Sequence, residues 1–272
     1  MRIFELLFKK MSSDNLQTKV VHSHGDYVNC IGWQPGKEVL ASGSDDKSVK
    51  VWREGDGGGG QQINHGNQVV CLDWSLRGDL AVGCGGGDAA VWRGGRTRVD
   101  LKGHTDWILA IKFAKDGNLV ATASHDRTCR VWEATTGQLV RKVYCGSYVY
   151  ALLWTGEKSF ASGDGTGRIK QWSVDQEGDS LDLQGHSGPA FSLDFQQSSA
   201  LLASGSRDST VIVQKVDNST STPAPVHTLT GHKGKVYEVK FSPSDLHILA
   251  TCDSGGEVTL WDVHHGNCRH IF

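Results

Sequence analysis

Residues 103–132 read GHTDWILAIKFAKDGNLVATASHDRTCRVW, and this stretch decides the fold because versions of it recur along the chain. Tryptophans equivalent to its last residue recur at a spacing of 40 residues, at Trp52, Trp92, Trp132 and Trp172. Gln214 and Trp261 continue the series at spacings of 42 and 47 residues. A fixed period of about 20–50 residues is the signature of a repeat architecture.

Each repeat contains four short runs of alternating apolar and polar residues. In repeat one these runs are Val28–Trp33, Val39–Ser42, Val49–Trp52 and Gln61–Asn64. Turn residues separate them, at Pro35-Gly36 and at Asp45-Asp46. Period-2 alternation between such turns predicts strands, and four antiparallel strands in about forty residues make one blade of a β-propeller. The six units that carry the first three strands are 27–53, 68–93, 107–133, 148–173, 190–216 and 236–262.

Four positions in repeat three can join in one polar network: His104, Thr122, Asp126 and Trp132. Repeat one has the same set in His24, Ser42, Asp46 and Trp52. With these residues the chain resembles the WD-repeat β-propellers from about residue 17 to its end. The resemblance implies an all-β fold in which the four side chains form a buried hydrogen-bonded chain between the entry of the first strand and the turn after the second. The other repeats depart from the pattern at Val82, Gly86, Cys145, Thr166, Gln214 and Gly255. We therefore expect blades one and three to be the most rigid.

A Ser-His-Asp set also suggests a hydrolase, and the histidines suggest a metal site. The same set is present in two different blades, and no Gly-x-Ser-x-Gly turn accompanies either copy. Histidines on separate blades cannot converge on one ion, and the adjacent pair His264-His265 is poorly spaced for chelation. We predict a structural role for the network, no catalytic residue, no metal site and no cofactor.

Composition limits the classes of partner and the compartment. The formal net charge is −2 and the basic residues are scattered, which argues against binding to nucleic acid or to an anionic membrane. The seven cysteines are odd in number and never spaced C-x-x-C, a pattern that fits a reducing compartment. The first ten residues make a poor signal peptide. These features predict a soluble intracellular protein, cytoplasmic or nuclear.

The two ends of the chain both contain a candidate for the fourth strand of the last blade. We expect residues 1–15 to be a flexible extension, with a marginal helix over residues 1–10, and residues 16–272 to form the propeller. Leu16–Val21 and Cys268–Phe272 could each supply the fourth strand of the last blade. The pattern leaves open a six-bladed ring with one redundant strand, or a ring of seven or eight blades that lacks some. The glycines 57–60 and residues 217–225 are predicted surface loops.

Some segments also resemble the transducin-β-like co-repressor subunits, which have eight blades. They are Val70–Trp74, Phe160–Ser162, Leu260–Val263 and Asn267–Ile271. This resemblance implies a subunit of a larger co-repressor assembly.

Binding residues are predicted from their distance to the histidine position of each repeat. The residue four positions on should be core, so the residues three and five positions on should point toward the mouth of the central channel. Four of the five tyrosines fall there; the aromatic set is Tyr27, Trp107, Tyr148, Tyr150, Phe191 and Tyr237. The family resemblance adds the residue before the turn aspartate, here Asp45, His125 and Arg207.

Exposed aromatic residues around a concave surface, beside charged residues, are typical of binding hot spots. We predict a non-catalytic scaffold that docks peptides or protein domains on the top face of the propeller, within a multiprotein complex. One alternative is a reader of histone peptides or methyl-lysine in a co-repressor complex, with Trp107, Tyr148 and Tyr150 as an aromatic cage. The other is a catalytic propeller.

Overall fold

The computed structural model describes residues 23–53, 60–176, 180–216 and 225–272, together with the backbone of two short strands, β1 (Leu7–Lys9) and β2 (Thr18–Val20). The strands from β3 onward form six antiparallel sheets of four strands each, in sequence order. Blade one is β3 (Val28–Trp33), β4 (Val39–Ser44), β5 (Ser48–Arg53) and β6 (Gln61–Asn64). Blade two is β7 (Val69–Trp74), β8 (Leu80–Cys84), β9 (Ala89–Arg93) and β10 (Thr97–Asp100), with a short 3-10 turn at Gly85–Gly87.

The remaining blades repeat this order. Blade three is β11 (Ile108–Phe113), β12 (Leu119–Ser124), β13 (Thr128–Glu133) and β14 (Leu139–Tyr144). Blade four is β15 (Val149–Trp154), β16 (Ser159–Asp164), β17 (Ile169–Ser173) and β18 (Ser180–Leu183). Blade five is β19 (Ala190–Gln196), β20 (Leu201–Ser206), β21 (Val211–Lys215) and β22 (Pro225–Leu229). Blade six is β23 (Val236–Phe241), β24 (Ile248–Asp253), β25 (Val258–Asp262) and β26 (Asn267–Ile271). The predicted all-β propeller of four-stranded blades is confirmed, with six blades.

The hydrophobic cores lie between blades and not within them. Leu72 and Val82 of blade two, for example, pack against Ala41 and Val49 of blade one. Equivalent cores join blades two and three, three and four, four and five, and five and six. Within the residues that the structure describes, no core joins blade six to blade one. The blades are therefore connected in series.

The turns between the second and third strands share one backbone feature in all six blades, although blade two makes its turn as a 3-10 turn with a second positive φ at Gly86. The residue in the third position of each turn has a positive φ: Lys47, Gly87, Arg127, Gly167, Ser209 and Gly256. Only glycine adopts this region without a steric cost. In blades one, three and five a non-glycine residue follows the turn aspartate, whose carboxylate accepts a hydrogen bond from the backbone N–H two residues on, as Asp126 does from Thr128 at 3.0 Å. The aspartate thus stabilises a turn that other blades make with glycine.

The N-terminal strands differ from the prediction. Leu7–Lys9 is a strand that pairs with Thr18–Val20 in an antiparallel ladder, so the helix predicted over residues 1–10 is wrong at these positions. Thr18–Val20 does not complete a blade; β26 is the fourth strand of blade six. A single helical turn is marginal in water, so strand pairing can displace it. The rest of the predicted extension and most of both predicted loops lie outside the described residues. Along the described chain, no helix has the length and hydrophobicity needed to cross a membrane.

Candidate functional site

The polar network of blade three is a directed chain of hydrogen bonds. Nδ1 of His104 lies 2.7 Å from Oδ2 of Asp126, and its Nε2 lies 2.7 Å from Oγ1 of Thr122. The indole Nε1 of Trp132 donates to the same Oγ1 at 2.9 Å. A carboxylate only accepts, so a neutral imidazole must donate from Nδ1, and its Nε2 then accepts the threonine proton. Both ring nitrogens of His104 and the indole N–H of Trp132 are therefore bonded within the network, while Oδ1 of Asp126 accepts from Thr128 of the turn.

The electrostatics agree with a neutral histidine beside an ionised aspartate. Burial lowers the pKa of His104, more than Asp126 raises it. In blade one, burial would raise the pKa of Asp46, but hydrogen bonds from Ser48, Gly25 and His24 outweigh it and lower the pKa to about 2. These directions favour the neutral imidazole and the ionised carboxylate that the hydrogen bonds require.

Blade one repeats the histidine bonds of this network, and blade six repeats the whole network, with an aspartate that the sequence analysis overlooked. His24 lies 2.8 Å from both Asp46 and Ser42. In blade six, His232 lies 3.1 Å from Asp253 and 2.7 Å from Thr251, and Trp261 donates to Thr251 at 2.8 Å. The expectation that only blades one and three are complete is therefore wrong.

The overlooked aspartate lies two residues before the usual turn position. Asp253 stands at the end of β24, where blade one has Ser44, and Gly255 occupies the usual aspartate position. Asp164 makes the same shift in blade four, where its carboxylate accepts from the backbone N–H groups of Thr166 and Arg168 at 2.8 and 3.1 Å. A shift of two residues keeps the carboxylate on the same side of the strand, so it still reaches the turn.

Blade five replaces the tryptophan by a different pair of bonds. The Gln214 side chain is fully buried; its Oε1 accepts from the backbone N–H of Gln184 at 2.9 Å, and its Nε2 donates to the carbonyl of Gln184 at 3.1 Å. His186 keeps its bond to Ser204 at 2.8 Å. The glutamine therefore fixes the loop before the blade by bonding its backbone directly.

Blade two lacks the hydroxyl that would link its histidine to its tryptophan. Val82 stands where blade three has Thr122. The buried atoms Nε2 of His65 and Nε1 of Trp92 have no hydrogen-bond partner among the described residues. Burial lowers the pKa of His65 to about 4. This blade has the least satisfied network of those described.

One histidine–aspartate pair also has a third candidate ligand for a metal ion. The ligand atoms of His232, Asp253 and Glu257 lie within 4.8 Å of one another. His232 and Asp253 are hydrogen-bonded to each other, and Glu257 forms an ion pair with Lys233 at 3.0 Å. The network and the ion pair explain the cluster.

An aromatic row crosses the top face, the end of the blades that carries the starts of the inner strands and the turns described above. His125 of blade three contacts Tyr148 and Tyr150 of blade four, with ring centroids 4.8 and 5.5 Å apart. Tyr150 meets Phe191 of blade five at 5.4 Å, and Phe191 meets Tyr237 of blade six at 5.7 Å. The structure thus brings five of the predicted binding residues, from four blades, into one continuous row.

A bulge in every inner strand helps to build this row. The pairing register shifts after the first residue of β3, β7, β11, β15, β19 and β23, which leaves the second residue unpaired. Those second residues include Tyr150, Phe191 and Tyr237. A β-bulge re-aims a side chain at a fixed point of a strand. The side-chain alternation counted from the core position did not predict this bulge.

The other predicted residues lie at the same face but outside the row. The residue before each turn donates its N–H to the carbonyl of the residue three positions after the histidine: Asp45 to Tyr27, His125 to Trp107 and Arg207 to Pro189, each at 2.9 Å. Trp107 lies against Gly85 of blade two, 3.5 Å from where a Cβ would stand. The ring contacts of Tyr148 and Tyr150 lead to His125 and Phe191, so the predicted cage with Trp107 gains no support from the described contacts.

The sequence analysis missed Arg127. Its guanidinium stacks 5.7 Å from the centre of the Tyr148 ring. Its position directly after the turn aspartate Asp126 was the available sequence signal.

The geometry defines a propeller with a buried structural network and an exposed aromatic row, and the comparisons name its family. The family model described as "WD domain, G-beta repeat" matches residues 15–53, 95–133, 180–213 and 223–262. The chain therefore belongs to the WD-repeat family.

Among its relatives, the human F-box-like/WD repeat-containing protein TBL1Y is 29% identical over 244 residues, which are 84% of this chain and 38% of that protein. The nuclear distribution protein PAC1 of Arthroderma otae is 24% identical over 298 residues, covering 92% of this chain and 62% of that protein. The chain thus spans well under half the length of the TBL1-type relatives it matches.

Two solved structures have the same fold. The C-terminal WD40 domain of Sif2 superposes with a TM-score of 0.79 at 21% identity, over 91% of this chain and 72% of that chain. The computationally designed Ika8 protein gives 0.78 at 25% identity, over 94% of this chain and 78% of that chain.

Proposed function

We propose that the protein is a non-catalytic interaction scaffold that docks a peptide of a partner protein along the aromatic row of its top face. WD-repeat propellers generally act as interaction scaffolds, and the row supplies this one with a specific surface. Tyr148 and Tyr237 are 44% and 50% exposed while their neighbours in the row support them from the side. Aromatic side chains held in place in this way offer large contact area at little cost in conformational entropy.

Charged residues on the top face would orient the bound peptide. Arg127 lies over Tyr148 at the blade-three end of the row, and Arg207 and Lys235 lie in the top-face segments of blades five and six. Complementary charges fix register more than they add affinity. We infer a peptide with apolar or aromatic side chains along the row and with acidic side chains near Arg127, Arg207 and Lys235.

A catalytic role has less support. The histidine–aspartate pairs of blades one, three and six are hydrogen-bonded within the blades, and the inner-strand ends offer tyrosine, phenylalanine and aliphatic residues. We further infer that the protein works inside the cell, in the cytoplasm or nucleus, because all seven cysteines are free thiols. Membership of a larger assembly, including a co-repressor complex, is a proposal that rests on the resemblance to the TBL1-type proteins.

The test uses a peptide selected from a random-sequence library on the immobilised protein, with its Kd measured by fluorescence anisotropy. Tyr150→Ala removes the ring that joins His125 to Phe191 and should weaken binding at least about 30-fold, which is the effect of a 2 kcal/mol hot spot. Leu139→Ala is the control: this leucine is 42% exposed at the first residue of β14, where it pairs with Trp132 at the end of the blade opposite the top face. Equal affinity for both variants, with unchanged melting temperatures, would contradict the proposal.

A further inference from the structure

Blade four has a cysteine at the place where the other five blades have the network histidine. The backbone N–H of Cys145 donates to the carbonyl of Arg127, the positive-φ residue of the preceding turn, at 2.9 Å. His186 makes the same bond to the turn of blade four at 2.8 Å, so Cys145 holds the histidine's place. The rest of the network is present, because the indole Nε1 of Trp172 donates to Oγ of Ser162 at 2.8 Å. The thiol of Cys145 therefore takes the position of the imidazole.

A second cysteine lies against the first. Sγ of Cys129, on β13 of blade three, is 3.7 Å from Sγ of Cys145, and both side chains are buried in the core between blades three and four. The other blades have an aliphatic residue at the place of Cys129: Val49, Ala89, Ile169, Val211 and Val258. Alone, a buried thiol behaves as a small apolar side chain. Here cysteine replaces the usual residue on both sides of one contact, which makes a dithiol.

The surroundings of the two thiols give them different reactivities. The hydrogen bond from Cys129 lowers the pKa of Cys145, and a second one from Ser162 acts in the same direction, so that together they outweigh burial. Burial raises the pKa of Cys129. The thiolate is the nucleophilic form of cysteine, so Cys145 is the thiol that reacts first. Its chain neighbours Tyr144 and Gly146 are exposed, so this thiol lies just beneath the surface.

We propose that Cys129 and Cys145 are a redox-sensitive pair, which hydrogen peroxide converts into a disulfide and a dithiol reductant restores. The thiolate of Cys145 attacks one peroxide oxygen, the O–O bond breaks, and the leaving hydroxide takes up the thiol proton to form water. The sulfur of Cys129 then attacks the resulting sulfenic acid, and its proton leaves with the hydroxyl group as a second water. Two thiols and one peroxide give one disulfide and two waters, so the sulfurs lose the two electrons that the peroxide gains.

The disulfide would tether two segments that meet at the blade-three end of the aromatic row. Cys129 follows Arg127 by two residues and Cys145 precedes Tyr148 by three, and the guanidinium of Arg127 lies 5.7 Å from the centre of the Tyr148 ring. Disulfides inside cells are usually transient and redox-sensing, which fits thiols that are free in the structure. The test of this site needs no bound peptide, so it is independent of the proposed function.

Non-reducing peptide mapping of the full chain tests the pair. The folded protein is treated with hydrogen peroxide, the remaining thiols are blocked, and trypsin then releases residues 128–130 and 143–158, each with one cysteine. We expect a disulfide between these two peptides, and its loss when the folded protein is treated with dithiothreitol before blocking. Cys129→Ala, which supplies the residue of blade two, should leave Cys145 as a sulfenic acid that dimedone traps. Cys145→His, which supplies the residue of the other blades, should leave Cys129 a free thiol.

Cys268→Ser is the control, because this thiol is exposed and lies outside the pair. It should leave the disulfide unchanged. Free thiols at Cys129 and Cys145 under conditions in which peroxide oxidises Cys268 would overturn the proposal, and this wild-type result does not depend on how a variant folds. A dimedone adduct on Cys129 in the Cys145→His protein would also overturn it, since Cys129 would then react without its partner.

Discussion

The hydroxyl of Thr122 can be tested by removing it in blade three and by adding it in blade two. Thr122→Val keeps the volume of the side chain but deletes the oxygen that accepts from Trp132 at 2.9 Å and lies 2.7 Å from Nε2 of His104. Blade two already has valine there, Val82, which is 0% exposed. Val82→Thr would therefore supply the missing partner. The two substitutions therefore test the same hydroxyl-mediated link in opposite directions.

The magnitudes follow from the number of buried groups that lose or gain a partner. Thr122→Val leaves two of them unsatisfied, at about 1–3 kcal/mol each, so we expect a loss of about 2–6 kcal/mol in the free energy of unfolding. Val82→Thr gives Nε1 of Trp92 an acceptor and Nε2 of His65 a donor. Two new hydrogen bonds, less the cost of burying the hydroxyl, should add about 1 kcal/mol.

Urea unfolding followed by circular dichroism measures both changes, with equal m-values required for the comparison. The double variant serves as the control, since blades two and three share a core and their effects need not add. A Thr122→Val protein within about 0.5 kcal/mol of the wild type, or a Val82→Thr protein less stable than the wild type, would refute the reasoning. The hydroxyl would then not be what holds the network together.

Two further predictions concern blades two and five. Burial lowers the pKa of His65 from 6.5 to about 4, so as the pH falls this histidine takes up a proton in the unfolded chain before it does in the folded one. The free energy of unfolding should therefore fall between about pH 6.5 and pH 4, by up to about 1.4 kcal/mol per pH unit. His65→Gln should lose stability less steeply in urea titrations at pH 7, 5.5 and 4.5, and parallel pH profiles would contradict this. Gln214→Leu leaves the backbone N–H and carbonyl of Gln184 without hydrogen-bond partners. We therefore expect the free energy of unfolding to fall by about 2–4 kcal/mol, and hydrogen exchange at the Gln184 amide to become faster. Unchanged exchange at that amide would show that its protection comes from elsewhere.

Much of the fold could be predicted because the repeat places the same physical demands on every forty residues. Strand alternation and turn residues recur with the period, so the six blades and their core positions follow directly. The N-terminal strands could not be predicted in this way, since Leu7–Lys9 lies outside the repeat and its pairing with Thr18–Val20 has no counterpart in the other blades.

The polar network was predictable only where the aspartate kept its usual place. In blades four and six it moved two residues back, to Asp164 and Asp253, and a search at the turn position found Thr166 and Gly255 instead. A signal was present: Gly167 and Gly256 follow, at φ of 88° and 86°. Glycine at that point marks a turn that no aspartate supports from the usual position. Gln214 gave no such signal, because its partner lies thirty residues earlier in the chain.

The binding face was predictable in its composition but not in its geometry. The spacing from each histidine selected Tyr150, Phe191 and Tyr237, but the rings meet because each lies at a bulge, and bulges leave no mark in this sequence. Trp107 was selected by the same spacing, and it packs on blade two instead.

The serial arrangement of the cores has a consequence for how the molecule comes apart. Six units joined by five contacts behave as a row of coupled neighbours, in which an internal unit is held from two sides and a terminal unit from one. Unfolding then proceeds inward from the terminal blades. Loss of the core between blades three and four would leave two sets of three blades that unfold independently. Blade one combines two opposing effects on stability, because a histidine bonded through both ring nitrogens lies in a terminal unit of the row.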